Sequence, residues 1–132
     1  MDGERINILL IEDSPADARL LRELLTRAEG AEFDVECADR LSKGLERLAQ
    51  GGIDVALVDL SLPDSWGLDT FARAHAQAPD VPIVVLTGFD DKVIAIRAMQ
   101  EGAQDYLVKG EVDSRALERV IRGALQRRRD GQ

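Results

Sequence analysis

The sequence predicts a doubly wound α/β fold of the (βα)5 type, with a parallel five-stranded sheet and helices on both faces. Five short apolar runs alternate with five amphipathic stretches, which is the pattern of right-handed βα units. The first, third and fourth runs are nearly continuous Ile, Val and Leu, as in central strands covered on both faces. The predicted strands are Ile6–Ile11, Phe33–Cys37, Asp54–Val58, Ile83–Leu86 and Asp105–Val108.

The segments between these runs carry the residues expected at helix starts and on helix faces. Ser14 is a predicted N-cap, Pro15 stands at the first helical position, and Asp17 follows three residues after the cap. Three shorter helices are predicted at 41–48, 68–78 and 92–101. Apolar residues recur at helical spacing in the first and last helices, namely Leu20, Leu21, Leu24, Leu25, Ala28 and Leu117, Val120, Ile121, Ala124, Leu125.

Composition limits the classes of protein that the chain can belong to. With 132 residues, 45% hydrophobic and 32% charged, it is predicted to form one globular domain with a core at about residues 5–127. No apolar stretch approaches the roughly 20 residues of a membrane span. A net charge of −8 argues against direct nucleic-acid binding. The start of the chain is acidic and does not resemble a secretory signal, and a single cysteine excludes an intrachain disulfide, so we expect a cytoplasmic protein.

The last residues, 126–132, extend the fifth helix into a charged end that begins Gln-Arg-Arg-Arg. Cations near a helix C-terminus complement the helix dipole, which is one interpretation of this segment. The other interpretation is a truncated linker helix that continues into a further domain. Both stay open on the sequence.

Five polar residues directly follow the apolar runs: Glu12 and Asp13, Asp59, Thr87 and Lys109. In a parallel sheet these positions share the carboxyl edge, where open α/β sheets bind ligands, so we expect the side chains to meet. Two carboxylates about 4 Å apart in a partly screened site repel by roughly 4 kcal/mol, and the cluster therefore requires a cation. Hard oxygen ligands favour Mg2+, which bridges carboxylates to phosphoryl oxygens.

The pattern IED…LVDLSLPDSWG…VLTG…DYLVK resembles the receiver domain of two-component response regulators, a flavodoxin-like fold, over essentially the whole chain. The resemblance implies that Asp59 accepts a phosphoryl group from a phosphohistidine, on a sensor histidine kinase or a histidine phosphotransfer protein. It also implies that Asp13 and Asp59 bind Mg2+ directly, together with the backbone carbonyl of Ser61, and that Glu12 acts through metal-bound water.

Three further residues receive roles from the same resemblance. Lys109 pairs with one phosphoryl oxygen, and Thr87 offers its hydroxyl to another. Tyr106 is the aromatic switch that turns inward when the threonine moves. The face of the fourth helix, fifth strand and fifth helix is then expected to change its affinity for a downstream effector or to form a homodimer, and it includes Ala95, Met99, Tyr106, Leu107 and Ala116.

Other functions fit the residues less well. An aspartyl phosphatase of the haloacid-dehalogenase type requires a second acid two positions after the nucleophile, where this chain has Ser61. A flavodoxin-type carrier requires a glycine- or hydroxyl-rich phosphate loop after the first strand, and the acids Glu12 and Asp13 would repel a phosphate there. A scaffold that has lost the chemistry would lack one of the key acids or Lys109. The sequence therefore predicts a phosphorylation-controlled regulator with only weak catalytic activity of its own.

Several residues depart from the family pattern or stand outside it. Gly110 follows Lys109 where most receivers have a proline after a cis bond, and we expect a trans bond because cis costs about 3 kcal/mol before a non-proline residue. Phe89 is bulky and is expected to slow hydrolysis of the phosphoryl group.

The remaining conspicuous side chains receive structural interpretations. Cys37 is expected to be a packed thiol of the second strand, and His75 a surface residue on a helix away from the site. Trp66, in the loop after Asp59, is either a partner contact or part of the packing of its own loop.

Overall fold

The computed structural model describes residues 4–88 and 91–130, which form a five-stranded parallel sheet and a short antiparallel hairpin. The sheet order is β2-β1-β3-β6-β7, and the hairpin pairs β4 with β5. The strands are β1 Glu4–Ile11, β2 Ala31–Ala38, β3 Val55–Asp59, β4 Ser61–Leu62, β5 Ser65–Trp66, β6 Ile83–Thr87 and β7 Asp105–Val108. The helices are α1 Pro15–Thr26, α2 Leu41–Ala49, α3 Leu68–Gln77, α4 Lys92–Gln100 and α5 Ser114–Asp130.

The predicted doubly wound architecture is confirmed, because the strands of the sheet are parallel and a hydrophobic core lies on each face. Alternate residues of β1 point to opposite faces: Ile8 and Leu10 pack with α1 and α5, whereas Leu9 and Ile11 pack with α2, α3 and α4. The hairpin between β3 and α3 is absent from the sequence prediction, since its strands are only two residues long.

The first helix begins as predicted, with one difference on its apolar face. The Ser14 hydroxyl accepts a hydrogen bond from Asp17 N at 3.3 Å, and Pro15 is the first helical residue. Leu21 and neighbouring leucines are buried, but Leu20 is 44% exposed. Successive residues are rotated by about 100° around a helix, which places Leu20 at the margin of the buried stripe.

The expectation of a packed thiol at Cys37 is wrong, because this side chain is exposed. Its strand, β2, lies at one edge of the sheet and pairs only with β1. The guanidinium of Arg22 lies near the sulfur, with Nη1 3.8 Å from Sγ. The position of β2 at an edge is a property of the strand order, which the apolar pattern of one strand does not reveal.

Helix α5 contains most of the charged C-terminal segment, up to Asp130. Two of its arginines, Arg127 and Arg128, contact residues at the end of the sheet opposite the carboxyl edge. Arg127 donates from Nε to Oε1 of Gln104 at 2.8 Å, and Arg128 donates to the carbonyl of Asp54 at 3.4 Å. Gly131 and Gln132 lie outside the described residues. Within the two described ranges, none of the helices combines the length and apolar character that crossing a bilayer requires.

Candidate functional site at the carboxyl edge of the sheet

The carboxyl ends of four neighbouring strands bring the predicted site residues together. Glu12 follows β1, Asp59 ends β3, Thr87 ends β6 and Lys109 follows β7, and these strands are adjacent in the order β1-β3-β6-β7. The register pairs Asp59 with Leu86, one residue before Thr87. Residues distant in sequence therefore share one edge of the sheet.

Lys109 lies at the centre of the site and contacts three carboxylates. Its Nζ is 2.7 Å from Oδ2 of Asp59, 2.9 Å from Oε1 of Glu12 and 3.1 Å from Oδ2 of Asp17. Burial lowers the pKa of the lysine, but hydrogen bonds to Asp59 and Glu12 raise that pKa by more, so the net pKa is above its ordinary value. The side chain is therefore a permanent cation within an acidic pocket.

Glu12 has the most buried carboxyl group of the cluster, with its side chain 0% exposed. Its Oε2 accepts a hydrogen bond from Ser14 N at 3.1 Å. Burial, and then a hydrogen bond with the neighbouring Asp59, raise the pKa of Glu12 to about 7, although Ser14 N–H and Lys109 act in the opposite direction. Two adjacent acids thus compete for one ammonium, which is the electrostatic condition under which a further cation binds.

Asp59 has both carboxylate oxygens engaged. Oδ1 accepts a hydrogen bond from Ser61 N at 2.9 Å, while Oδ2 faces Lys109. Asp59 is 3% exposed, whereas Asp13 beside it is open to solvent. Carboxylate oxygens of Glu12, Asp13 and Asp59 lie within 4.8 Å of one another, a grouping that fits a hard divalent cation.

Thr87 contributes a buried hydroxyl to the same edge. The residue is 2% exposed, and its Oγ1 has no hydrogen-bond partner within residues 4–88 and 91–130. Buried hydroxyl groups normally form hydrogen bonds, so this hydroxyl is suited to form one with a bound ligand. Tyr106 pairs with Val85 in the register, two positions before the pair Thr87–Val108. The parity of the strands places Thr87 and half-buried Tyr106 on the same face of the sheet.

Two contacts of the site were missed by the sequence prediction. Asp17 belongs to the first turn of α1 and contacts Lys109. The sequence did carry a signal for this contact, because α1 starts at the carboxyl edge and Asp17 stands one turn after its N-cap. Asp64, at the tip of the β4–β5 hairpin, binds the start of α2 with both carboxylate oxygens. No pattern in the sequence indicates that contact, because it joins segments distant in the chain.

The loop after Lys109 has the backbone that the sequence prediction expects. The Lys109–Gly110 bond is trans, and Gly110 has φ of 91°. A positive φ favours glycine and cannot be adopted by proline, whose ring holds φ near −65°. Phe89, which was predicted to shield the phosphoryl group, lies outside the described residues.

The remaining predicted residues lie away from the carboxylates. His75 is half-buried on α3 and its ring stacks on Phe71, with 5.4 Å between the centroids. Trp66 is 64% exposed, so packing within its own loop buries only a minor part of it. On the predicted partner face, Met99 is 38% exposed, but Ala95 and Leu107 are buried and add no surface there.

Comparison with known proteins assigns the sequence and the fold to one family. Residues 8–122 match the family model of the response regulator receiver domain. The chain belongs to this family. The predicted receiver fold and the family predicted from the sequence motifs are thus confirmed. Members of this family are regulators that are controlled by phosphorylation and act with sensor histidine kinases and effector domains.

Individual relatives of this receiver domain are transcriptional and other regulatory proteins. It is 37% identical over 125 residues to the KDP operon transcriptional regulatory protein KdpE of Escherichia coli, covering 92% of this chain and 52% of that protein. It is 34% identical over 100 residues to the regulatory protein LuxO of Vibrio cholerae, covering 76% of this chain and 21% of that protein. The receiver domain thus spans at most about half of these two relatives.

Solved structures show the same fold. A response regulator receiver domain protein from Clostridium thermocellum superposes with a TM-score of 0.84 at 28% identity, covering 96% of this chain and 99% of that one. Full-length FixJ from B. japonicum gives a TM-score of 0.85 at 26% identity, covering 98% of this chain and 62% of that one.

Proposed function

We propose that Asp59 is the phosphoryl acceptor of this receiver domain, that the donor is a phosphohistidine on a sensor histidine kinase or a histidine phosphotransfer protein, and that the reaction depends on Mg2+. The observation that carries the proposal is the position of Asp59, whose buried carboxylate contacts the ammonium of Lys109 and lies close to the carboxylates of Glu12 and Asp13. A nucleophile beside a fixed cation and further carboxylates that can bind a metal ion is suited to phosphoryl transfer.

The bond changes are those of a simple displacement. An oxygen of Asp59 attacks phosphorus and forms an O–P bond, giving an acyl phosphate. The P–N bond to the donor imidazole breaks, and its electron pair leaves with the ring nitrogen. A carboxylate is a weak nucleophile, so the protein contributes mainly by positioning the oxygen and neutralising charge.

Lys109 and Thr87 are proposed to hold the transferred group. Lys109 Nζ is a permanent cation 2.7 Å from the acceptor carboxylate, within reach of a phosphoryl oxygen bonded there. Thr87 Oγ1, unpartnered within the described residues, is free to donate its hydrogen to another phosphoryl oxygen. The Thr87 hydroxyl would gain a partner with the phosphoryl group, whereas Lys109 would add a phosphoryl oxygen to its contacts with the carboxylates.

Mg2+ is proposed to be held by Asp13 and Asp59 with the backbone carbonyl of Ser61, and less directly by Glu12. The chemistry that the ion supplies when bound is charge neutralisation between the carboxylates and the phosphoryl oxygens. The support is the grouping of three acids, whose carboxylate oxygens lie within 4.8 Å of one another. Burial, and then the neighbouring Asp59, also raise the pKa of Glu12.

Phosphorylation is proposed to change the face made by α4, β7 and α5, here called the α4–β7–α5 face. Movement of Thr87 toward the phosphoryl group would open space for Tyr106, which lies on the same side of the sheet. Apolar side chains of α4 are exposed on that helix: Val93 is 71% and Ile96 49% exposed. This surface supports a homodimer or the binding of an effector, and the oligomeric state by sedimentation with and without beryllofluoride separates the two.

We also propose that residues 1–132 act as one receiver unit in the cytoplasm, with 126–132 as either the charged end of α5 or the start of a linker helix. The charged side chains of Arg127 and Arg128 bind the body of the domain through Gln104 and Asp54, which supports the first alternative.

The deciding experiment is the intact mass after incubation with acetyl phosphate and Mg2+. The wild type is expected to gain one phosphoryl group, and Asp59→Asn none. Omission of Mg2+ should abolish the adduct. A purified phosphorylated histidine phosphotransfer protein is then tested as the donor. An adduct that persists in Asp59→Asn would overturn the assignment of the acceptor.

A further inference from the structure

Helix α2 begins without a capping side chain of its own. Its N-cap residue, Arg40, is extended and makes no side-chain cap. Instead, the carboxylate of Asp64 accepts hydrogen bonds from Leu41 N at 2.8 Å and from Ser42 N at 2.9 Å. The first amide groups of a helix require such partners, and the positive end of the helix dipole favours a carboxylate. Asp64 thus replaces a local cap from 23 residues further along the chain.

The same residue is at the tip of the β4–β5 hairpin that leaves the phosphoryl-acceptor site. Ser61 pairs with Trp66 and Leu62 with Ser65, so Asp64 lies in the two-residue turn between the strands. At the base of the hairpin, Ser61 N donates to Oδ1 of Asp59. The hairpin therefore bridges Asp59 and the N-terminus of α2.

A second contact holds the other strand of the hairpin. The hydroxyl of Ser65 hydrogen-bonds the hydroxyl of Thr70 on α3 at 2.7 Å, and Thr70 is completely buried. Gly67 N closes the loop on the carbonyl of Leu60 at 2.6 Å. The tip of the hairpin is held to α2 by Asp64. The side chain of Asp64 therefore connects that helix to the hairpin that contains the backbone of Ser61.

We propose that Asp64 is a positioning residue for phosphoryl transfer: by capping α2 it holds the β4–β5 hairpin, and with it the backbone of Ser61, in place beside Asp59. The inference rests on the proposed function, in which Asp59 and the Ser61 backbone carbonyl hold Mg2+. Loss of the cap leaves the carboxylates intact and lets the Ser61 backbone move away from them. The effect is therefore on the affinity for Mg2+ and on the phosphorylation rate at low Mg2+, and saturating Mg2+ restores most of the rate.

The chain carries its own reporter for this test. Trp66 is the only tryptophan, is 64% exposed and pairs directly with Ser61. Its fluorescence is titrated with Mg2+ in the wild type and in three variants, Asp64→Ala, Asp64→Asn and Asp64→Glu. Asp69→Ala serves as the charge control, since Asp69 is an exposed acid in the first turn of the neighbouring helix α3.

The expected result is an apparent Kd for Mg2+ that is about tenfold weaker in Asp64→Ala, at the lower end of the effect of losing a residue that supports metal ligands. Asp64→Asn should recover most of the affinity, because asparagine caps helices as well as aspartate does. Asp64→Glu keeps the charge but lengthens the side chain, and should resemble Asp64→Ala. Asp69→Ala should resemble the wild type.

Each contrary outcome has a distinct meaning. If Asp64→Ala binds Mg2+ and accepts a phosphoryl group like the wild type, the positioning role of Asp64 is wrong and the proposed function stands. If the wild type itself shows neither Mg2+ binding nor an adduct, the proposed function fails. Should Asp64→Ala not fold, the other two variants decide, because tighter Mg2+ binding by Asp64→Glu than by Asp64→Asn would show that charge and not capping matters.

Discussion

The ammonium of Lys109 lies 2.7 Å from Oδ2 of Asp59, although 50 positions separate the two residues in the sequence. The same Nζ also contacts Glu12 and Asp17, so one cation is shared by three acids. This arrangement holds in place the carboxylate of Asp59, the residue that we propose as the phosphoryl acceptor. It also makes the site sensitive to every change in the charge of its members.

Replacement of the shared cation should impair both phosphorylation and stability. Lys109→Gln is expected to slow phosphorylation by acetyl phosphate roughly 100-fold at saturating Mg2+, because a preorganised positive charge is lost from the transition state. It should also lower the free energy of unfolding in EDTA by about 2 kcal/mol, since buried carboxylates lose their partner. Mass spectrometry over time and urea denaturation measure the two effects.

Arg73→Gln is the control for this substitution, as it removes an exposed cation of α3 that is not part of the carboxylate cluster. Its phosphorylation rate and stability should match the wild type. A wild-type rate in Lys109→Gln would contradict the role given to the ammonium.

The raised pKa of Glu12 predicts a pH dependence of stability in the presence of EDTA. A folded-state pKa of about 7, above the ordinary glutamate value of 4.5, means that the folded protein binds more protons than the unfolded protein between these pH values. The resulting stabilisation is fully present below pH 4.5 and is lost as the pH rises through about 7. The loss is on the order of 2 kcal/mol, allowing for coupling to Lys109.

Glu12→Gln cannot lose this proton, so it isolates the effect. Urea denaturation at several pH values should show the variant gaining stability relative to the wild type as the pH rises from about 5 to 8. Addition of Mg2+ should reduce the difference. A difference that does not change with pH would show that Glu12 titrates normally.

The unpartnered hydroxyl of Thr87 predicts a substitution that stabilises the protein while impairing its function. Thr87→Val removes a buried polar group that has no partner within the described residues and should raise the free energy of unfolding by about 1 kcal/mol. The same variant should be phosphorylated more slowly, because one donor to the phosphoryl oxygens is gone. Thermal or urea denaturation and intact mass provide the measurements.

Thr70→Val is the matched control, since Thr70 is also buried but its hydroxyl bonds Ser65 at 2.7 Å. That variant should be less stable than the wild type by about 1 kcal/mol. If Thr87→Val were destabilised to a similar extent as Thr70→Val, the hydroxyl of Thr87 would have a partner in solution.

Coupling between Thr87 and Tyr106 can be followed with a single label. Tyr106 is the only tyrosine, so fluorotyrosine gives one fluorine resonance. Beryllofluoride with Mg2+ should shift this resonance in the wild type, because the ring changes its environment when the threonine moves. The shift should be absent in Thr87→Val. A resonance that stays unchanged in the wild type would show that Tyr106 is not a switch.

The sequence determined the element order and the core of this protein. Apolar runs that alternate with amphipathic helices allow only a few arrangements. A parallel sheet covered by helices on both faces is the one that buries all the apolar runs. The sequence also placed the residues of the candidate site at one edge of the sheet. Glu12, Asp59, Thr87 and Lys109 each stand at or just after a strand end, and parallel strand ends share one edge.

Tertiary structure alone decided which of these groups touch and how strongly they interact. The strand order leaves β2 at an edge, and this exposes Cys37 against the expectation from its own strand. The contacts of Lys109 with Asp17 and of Asp64 with α2 join segments that no local pattern connects. The physical reason is that hydrogen bonding and the desolvation that raises the pKa of Glu12 depend on distances in three dimensions, whereas periodicity records only which face of an element is buried.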